Sequence, residues 1–158
     1  MPGVSLAIRP VSEADLPGLW AIEETLTGPW TRGQLEEELC LPRGWGWRAV
    51  GEDGQTQGYL FGLSVLDEAE IRKLAVAARH RWQGVATRLL AFVFAQLASD
   101  GVRRCFLELR AANAPALSLY QKSGFVIAGR RKSYYTRPVD DAILLEKLLI
   151  ASPPLANF

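Results

Sequence analysis

Residues 69–110 constrain the fold most. AEIRKLAV alternates as a strand does, GVATRLLAFVFAQLAS is apolar around most of a helical surface, and CFLELR is strand-like again. Two strands joined through a helix of that length run parallel in one sheet, and such a crossover is right-handed. A parallel junction therefore sits in the middle of the chain, and the remaining elements must be arranged around it.

Before the junction, SLAIRPV reads as a short strand. Ser12-Glu-Ala-Asp15 has capping-box spacing ahead of Leu16, Leu19, Trp20 and Leu26, which predicts a first helix. Thr31-Arg-Gly-Gln34 repeats that spacing ahead of LEEELCL, a second helix stopped by Pro42. WRAV and GYLFGLSVL flank EDGQTQ, where Asp53-Gly54 signals a tight antiparallel turn. After the junction, NAPALSLYQKS is a helix closed by Gly124 at the left-handed C′ position, and FVIAGRRKSYY and DAILLEKLL are the last strands. The order is strand, two helices, three strands, helix, strand, helix, two strands. It predicts an α+β (mixed α/β) fold: a mostly antiparallel seven-stranded sheet with four helices about it.

A chain of 158 residues with 49% hydrophobic content suits one domain, expected over residues 1–150. The paired prolines of ASPPLANF place 151–158 outside the core as a tail. Lys and Arg total 18 against 17 acidic residues, so no global field draws nucleic acid or acidic lipid, and any anion site must be local. The N-terminus lacks a leader pattern, and LLAFVFAQLA falls short of the roughly 20 residues of a membrane span. Cys40 and Cys105 stand apart and His80 is the only histidine, which argues against a metal site and for packed free thiols. The expectation is a cytoplasmic protein, monomeric or weakly dimeric, that binds neither nucleic acid nor membrane.

RHRWQGVATRLL joins the strand ending at Val76 to the crossover helix, at the carboxyl end of a strand where ligands of open sheets tend to bind. The first N–H groups of that helix lack intrahelical partners and the macrodipole adds partial positive charge, a match for phosphate oxygens. Arg79, Arg81 and Arg88 can add charge. Gly84 and the small Ala86 let a ligand approach the backbone. As a bare pattern Arg81-x-x-Gly84-x-Ala86 is weak, because solvated surface turns combine the same residues, but its position in the fold favours an anion cradle.

LDEAEIRKLAVAARHRWQGVATRLL followed by FLELRAANAPALSLYQKSGF resembles the acetyl-CoA-binding half of the GCN5-related N-acetyltransferases (GNAT), and specifically the RimI-type ribosomal-protein-alanine N-acetyltransferases. The resemblance spans residues 5–148, with further points at Pro29-Trp30-Thr31, Ser133-Tyr134-Tyr135 and Asp141-Ala142-Ile143. It implies the GNAT fold and acetyl-CoA as cosubstrate. Arg81, Gln83, Gly84, Val85, Ala86 and Thr87 would hold the CoA pyrophosphate, largely through backbone N–H groups. Leu74, Ala75 and Val76 would pair with the pantetheine as an added strand. Asn113 is a helix N-cap worth ~1 kcal/mol on its own terms, and the resemblance adds contact with the cosubstrate.

Glu108 lies in the middle of CFLELR, a strand expected to be covered on both faces. Such a carboxylate is either paired with an arginine or exposed at the strand end, or it is a general base whose pKa is raised by desolvation. RimI-type enzymes carry their base in the matching segment, which favours the base. Tyr120 is by periodicity a core-facing aromatic. Acetyl transfer also expels a CoA thiolate, to which a phenol can donate a proton, and the family places its acid at this position. Trp30, Tyr134 and Tyr135 either line the acceptor groove, as the resemblance implies, or are core and rim aromatics. Arg131 and Lys132 form a solvated strand edge or touch cosubstrate phosphate.

The segment Glu70-Ile71-Arg72-Lys73 departs from RimI-type relatives, which usually have uncharged residues there. Strand alternation turns Arg72 or Lys73 toward the cleft, where a positive charge would repel a basic peptide and put the ribosomal protein S18 N-terminus in doubt. The resulting expectation is an N-acetyltransferase that acts on a protein N-terminus by direct transfer in a ternary complex, with Glu108 as base and Tyr120 as acid. The alternatives are acetylation of a lysine side chain or small-molecule amine, and a CoA-binding regulatory module without chemistry.

Overall fold

The computed structural model describes residues 5–26 and 28–149; the tail expected at 151–158 lies outside them. The elements are β1 (Ala7–Pro10), α1 (Leu16–Glu23), α2 (Arg32–Leu39), β2 (Gly44–Val50), β3 (Thr56–Val65), β4 (Glu68–Val76), α3 (Val85–Ser99), β5 (Arg104–Arg110), α4 (Ala114–Lys122), β6 (Val126–Thr136) and β7 (Val139–Leu148). The strands form one sheet in the order β1-β2-β3-β4-β5-β7-β6. Every pairing is antiparallel except β4 with β5. The predicted order and the single parallel junction are therefore both present.

Local chemistry accounts for the helix starts. Thr31 Oγ1 accepts from the Gln34 N–H at 3.1 Å while Gln34 Oε1 accepts from the Thr31 N–H at 2.8 Å, closing the predicted capping box. Asp15 takes the Ser12 N–H and hydroxyl at 2.7 and 3.0 Å, although a short 3-10 turn over Glu13–Asp15 precedes α1. β2 begins at Gly44, ahead of the predicted WRAV, because its pairing with β3 extends to Gly44 opposite Leu63.

Two layers of helix cover the sheet. Leu19 and Ile22 of α1 and Leu35 of α2 pack on Tyr59, Phe61 and Ala75. On the other face, Leu90, Val93 and Leu97 of α3 and Tyr120 of α4 pack on Leu60, Ala69, Ile71, Cys105, Leu107, Leu109, Ile143 and Leu145. Leu60 between Tyr59 and Phe61 shows the alternation that sends successive side chains to opposite layers. Each fully buried leucine contributes about 1.5–3 kcal/mol, so α3 alone anchors the crossover firmly. Among the described residues, no helix is long and apolar enough to cross a membrane.

β4 and β5 pair only over residues 68–70 against 104–106. β4 continues to Val76 and β5 to Arg110, so beyond that point the two parallel strands part and a seam opens in the sheet. A bulge reinforces the divergence: Phe61 pairs with Lys73 but Gly62 with Ile71, leaving Arg72 as an extra residue in β4.

Candidate active site

At the carboxyl end of β4 the chain makes a short 3-10 turn over Ala78–His80 and reaches Gly84, the N-cap of α3. Gly84 has φ +81°, and a Cβ built there would meet nothing within 4 Å, so its open side faces outward. The first bond of α3 runs from the Arg88 N–H to the Gly84 carbonyl at 3.0 Å, and the N–H groups of Val85, Ala86 and Thr87 precede it. The Val85 side chain is buried, which roots the turn in the core while its backbone stays at the rim. Gln83 Nε2 donates to the Arg79 carbonyl at 3.2 Å and Arg81 Nε to the Val76 carbonyl at 3.4 Å. Both side chains thus brace the loop.

Leu74, Ala75 and Val76 pair with Leu60, Tyr59 and Gly58 on the β3 side, while pairing with β5 has already ended. Their other edge borders the seam, where an extended amide chain can add as a strand. Asn113 Oδ1 accepts from the Ala116 N–H at 3.2 Å, the N-cap role expected of it.

Glu108 and Tyr120 belong to opposite sides of β5. Tyr120 is 8% exposed and packs in the cluster that holds Cys105, Leu107 and Leu109. Glu108 alternates with those residues, so it faces the other layer, where its side chain is 26% exposed. A Schellman closure sets the tyrosine. Phe125 N–H bonds the Tyr120 carbonyl at 3.0 Å and Gly124 N–H the Gln121 carbonyl at 3.1 Å, with Gly124 at φ +99°. The Phe125 ring then meets the Tyr120 ring edge-on at 5.6 Å. Burial, with a smaller contribution from Cys105, holds the Tyr120 phenol above its ordinary range, so it stays protonated at neutral pH. Burial likewise pushes the Cys105 thiol up to about 12, which keeps it an inert packed thiol.

The expectation that β5 is covered on both faces holds on one side only. The face carrying Phe106 and Glu108 is partly exposed, while the face carrying Cys105, Leu107 and Leu109 is buried. Arg131 Nη2 lies 3.5 Å from Glu108 Oε1, so the arginine pairing is present, and the Glu108 side chain keeps 26% exposure. Arg131 also stands over the Tyr134 ring at 5.4 Å. Glu70, in the last paired rung of β4, is a second carboxylate on this face; desolvation raises its pKa, with Arg72 opposing and Glu108 adding to the rise. Sequence reading missed its place, although parallel register with Phe106 would have indicated the shared face.

Arg72 and Lys73 do reach the α1–α2 layer, but neither charge is left to repel a substrate. Arg72 grips Glu38 of α2 through Nε at 2.9 and 3.0 Å and Nη2 at 2.7 Å. Lys73 Nζ lies 3.0 Å from Glu23 Oε1, and Glu23 is fully buried. The same carboxylate accepts the Tyr59 hydroxyl and, at 2.9 Å, the Trp30 N–H. Lys73 stands 5.1 Å from the centre of the Trp30 ring. The argument from repulsion is corrected accordingly: the bulge allows both cations onto this layer, and acidic residues of α1 and α2 neutralise them.

Tyr134 and Tyr135 meet edge-to-face at 5.2 Å, and the Arg110 guanidinium lies 4.1 Å over Tyr135. Burial and then the Glu108 charge raise the Tyr135 pKa. A bulge aims the pair: Arg131 pairs with Ala142 and Tyr135 with Asp140, so residues 132–134 stand opposite Asp141 alone. Asp141 pins it, taking the N–H of Ser133, at φ +53°, at 2.7 Å and Arg130 Nε at 2.6 Å. The structure therefore gathers Glu108, Tyr134, Tyr135, Trp30, Arg72 and Lys73 on one layer, with the loop at residue 84 and the β4 edge leading to the seam.

The sequence matches the acetyltransferase (GNAT) family over residues 16–125. It is 32% identical over 143 residues to the [ribosomal protein bS18]-alanine N-acetyltransferase of Salmonella typhimurium, covering 85% of this chain and 92% of that protein. The crystal structure of the ribosomal-protein-S18-alanine N-acetyltransferase from Escherichia coli superposes with a TM-score of 0.86 at 28% identity, over 98% of this chain and 100% of that one. Arabidopsis thaliana NAA60 in complex with acetyl-CoA shares the fold, with a TM-score of 0.80 at 20% identity over 91% of this chain and 98% of that one.

Proposed function

This chain belongs to the acetyltransferase (GNAT) family, and from that premise we infer that it transfers the acetyl group of acetyl-CoA directly to the α-amine of a protein N-terminus. One observation carries the reading: Glu108 and Tyr120 flank the same strand from opposite layers, next to the seam where β4 and β5 part. A base on the acceptor side and an acid on the donor side is the arrangement direct transfer needs.

The residues fit the donor. The N–H groups of residues 85–87 precede the first bond of α3, the open side of Gly84 leaves room for phosphate, and residues 74–76 offer a strand edge to the pantetheine amides. Acetyl-CoA supplies the activated acetyl group. Glu108 takes the proton from the attacking amine, directly or through water, and Tyr120 gives its phenolic proton to the departing sulfur. Trp30, Tyr134 and Tyr135 shape the acceptor groove, with Asn113 close to the donor.

An α-amine has a reference pKa near 8 against about 10.4 for lysine, so one carboxylate more readily supplies its neutral form near pH 7. The relatives named for the bS18 alanine make that N-terminus the first acceptor to try, and the neutralised Arg72 and Lys73 leave no charge against it. On this reading the enzyme is a single domain through residue 150 and works in the cytoplasm as a monomer or weak dimer. The test is an array of peptides with free and blocked N-termini, incubated with labelled acetyl-CoA. Label on free N-termini alone is expected. Label confined to lysines or to small amines moves the acceptor, and CoA binding without transfer to any amine reduces the chain to a regulatory module.

A further inference from the structure

Trp82 is 96% exposed and has φ +64°. Both facts are unusual for an indole, since bulky residues rarely adopt the left-handed region and large apolar side chains gain most from burial. The residue sits two positions before Gly84, in the loop that presents the N–H groups of α3. Its neighbours are tied down: Arg79 Nη2 bonds Gln55 Oε1 at 2.5 Å, Arg81 bonds the Val76 carbonyl and Gln83 the Arg79 carbonyl. Trp82 is thus the one large apolar side chain that the loop projects into solvent.

Its surroundings suit a nucleotide better than a protein face. The other exposed large apolar residues, such as Leu66, Val126, Ile127 and Leu148, lie outside this loop. Arg79, His80 and Arg81 precede it, and Arg88 follows within a turn of helix. An exposed flat π surface on a loop that also carries Arg79 and Arg81 suits a base carrying phosphates, and aromatic stacking on a base is a large and geometry-tolerant contribution to binding.

We propose that Trp82 is the stacking platform for the adenine of the donor, which selects acetyl-CoA over donors that lack the adenosine. The proposal rests on the acetyl-CoA reading: once the pyrophosphate is seated on residues 84–87, the adenine is one ribose away from the loop that carries the indole. The strained backbone at Trp82 holds the ring outward to meet it.

The test compares CoA with 4′-phosphopantetheine in binding titrations, and acetyl-CoA with acetyl-4′-phosphopantetheine in turnover, for wild type, Trp82→Ala, Trp82→Gly, Trp82→Leu and Trp82→Phe. Replacing Trp82 by Ala, Gly or Leu should weaken CoA binding and raise the acetyl-CoA KM on the order of tenfold, with Kd and KM for the truncated compounds unchanged. Trp82→Phe should retain most of the affinity. Trp82→Gly, which relieves the positive φ, should melt no lower than wild type while binding CoA as weakly as Trp82→Ala, an outcome that a purely structural role does not give. Equal losses for CoA and the truncated compound would overturn the proposal in favour of loop positioning. Unchanged CoA binding in Trp82→Ala, or a wild type that binds both compounds equally, would overturn it while leaving the donor reading intact. A wild type that binds neither overturns both.

Discussion

Lys73 reaches from β4 to within 3.0 Å of Glu23, a carboxylate with no exposed surface that also holds the Tyr59 hydroxyl and the Trp30 N–H. One ion pair therefore ties the loop before α2 to the strand that borders the seam. Removing one partner of a buried pair leaves an uncompensated charge, at a cost of about 3 kcal/mol or more. Lys73→Met should lower unfolding stability by about that amount in urea titrations. Adding Glu23→Gln to it should recover most of the loss, because the amide keeps an acceptor for Tyr59 or Trp30 without the charge.

Gly84→Val introduces a branched side chain at φ +81°, into space that is open in the protein but needed by a ligand on the α3 N-terminus. Backbone strain should cost roughly 1–3 kcal/mol, which a folded domain of this size tolerates. CoA titration of the folded variant should show affinity lost or nearly so, with far-UV circular dichroism like wild type. Wild-type affinity in that variant would return the loop to a plain surface turn.

Asp141 pins the β6 bulge through its bonds to Ser133 and Arg130, next to the tyrosines assigned to the acceptor in the proposed function. The Ser133 N–H first, and then Arg130, hold its pKa below the ordinary carboxylate value. A depressed folded-state pKa contributes stability that is present above the unfolded pKa and is lost as pH falls through the folded one. Acidification through the carboxylate range should therefore loosen the β6 bulge and raise the acceptor KM more than the acetyl-CoA KM. Asp141→Asn should show the raised acceptor KM already at neutral pH and less further change on acidification. Equal acceptor KM values for the two proteins at neutral pH would contradict this role.

The features legible in the sequence were local ones. The capping box at Thr31, the left-handed Gly124 and the N-cap at Asn113 each depend on neighbours a few residues away, and the structure contains all of them, along with the crossover over residues 69–110. The features that escaped depend on register between distant strands. The extra residue at Arg72 and the early end of β4–β5 pairing decide which way charged side chains point, and alternation read along one strand cannot reveal a bulge. The same applies to the partners of Arg72 and Lys73, which come from α2 and α1, and to Asp141 opposite Ser133. Glu108 was singled out as a lone carboxylate in an apolar strand; Glu70 joins it only when the register of the parallel pair is known.

The central claim is the division of labour across β5, and the most direct measurement is a pH–rate profile of Glu108→Gln and Tyr120→Phe beside wild type, with CoA affinity recorded for all three. Glu108→Gln keeps shape and hydrogen bonding but cannot accept the proton, so kcat/KM should drop on the order of 10²–10⁴ near neutrality and recover in part as rising pH deprotonates the amine in solution. Tyr120→Phe should lose rate without that recovery, because a more basic solution provides no acid for the departing sulfur. CoA affinity should stay near wild type in both. A Glu108→Gln enzyme as fast as wild type at neutral pH, or the same rescue at high pH in both variants, would contradict the assignment of base and acid to these two residues.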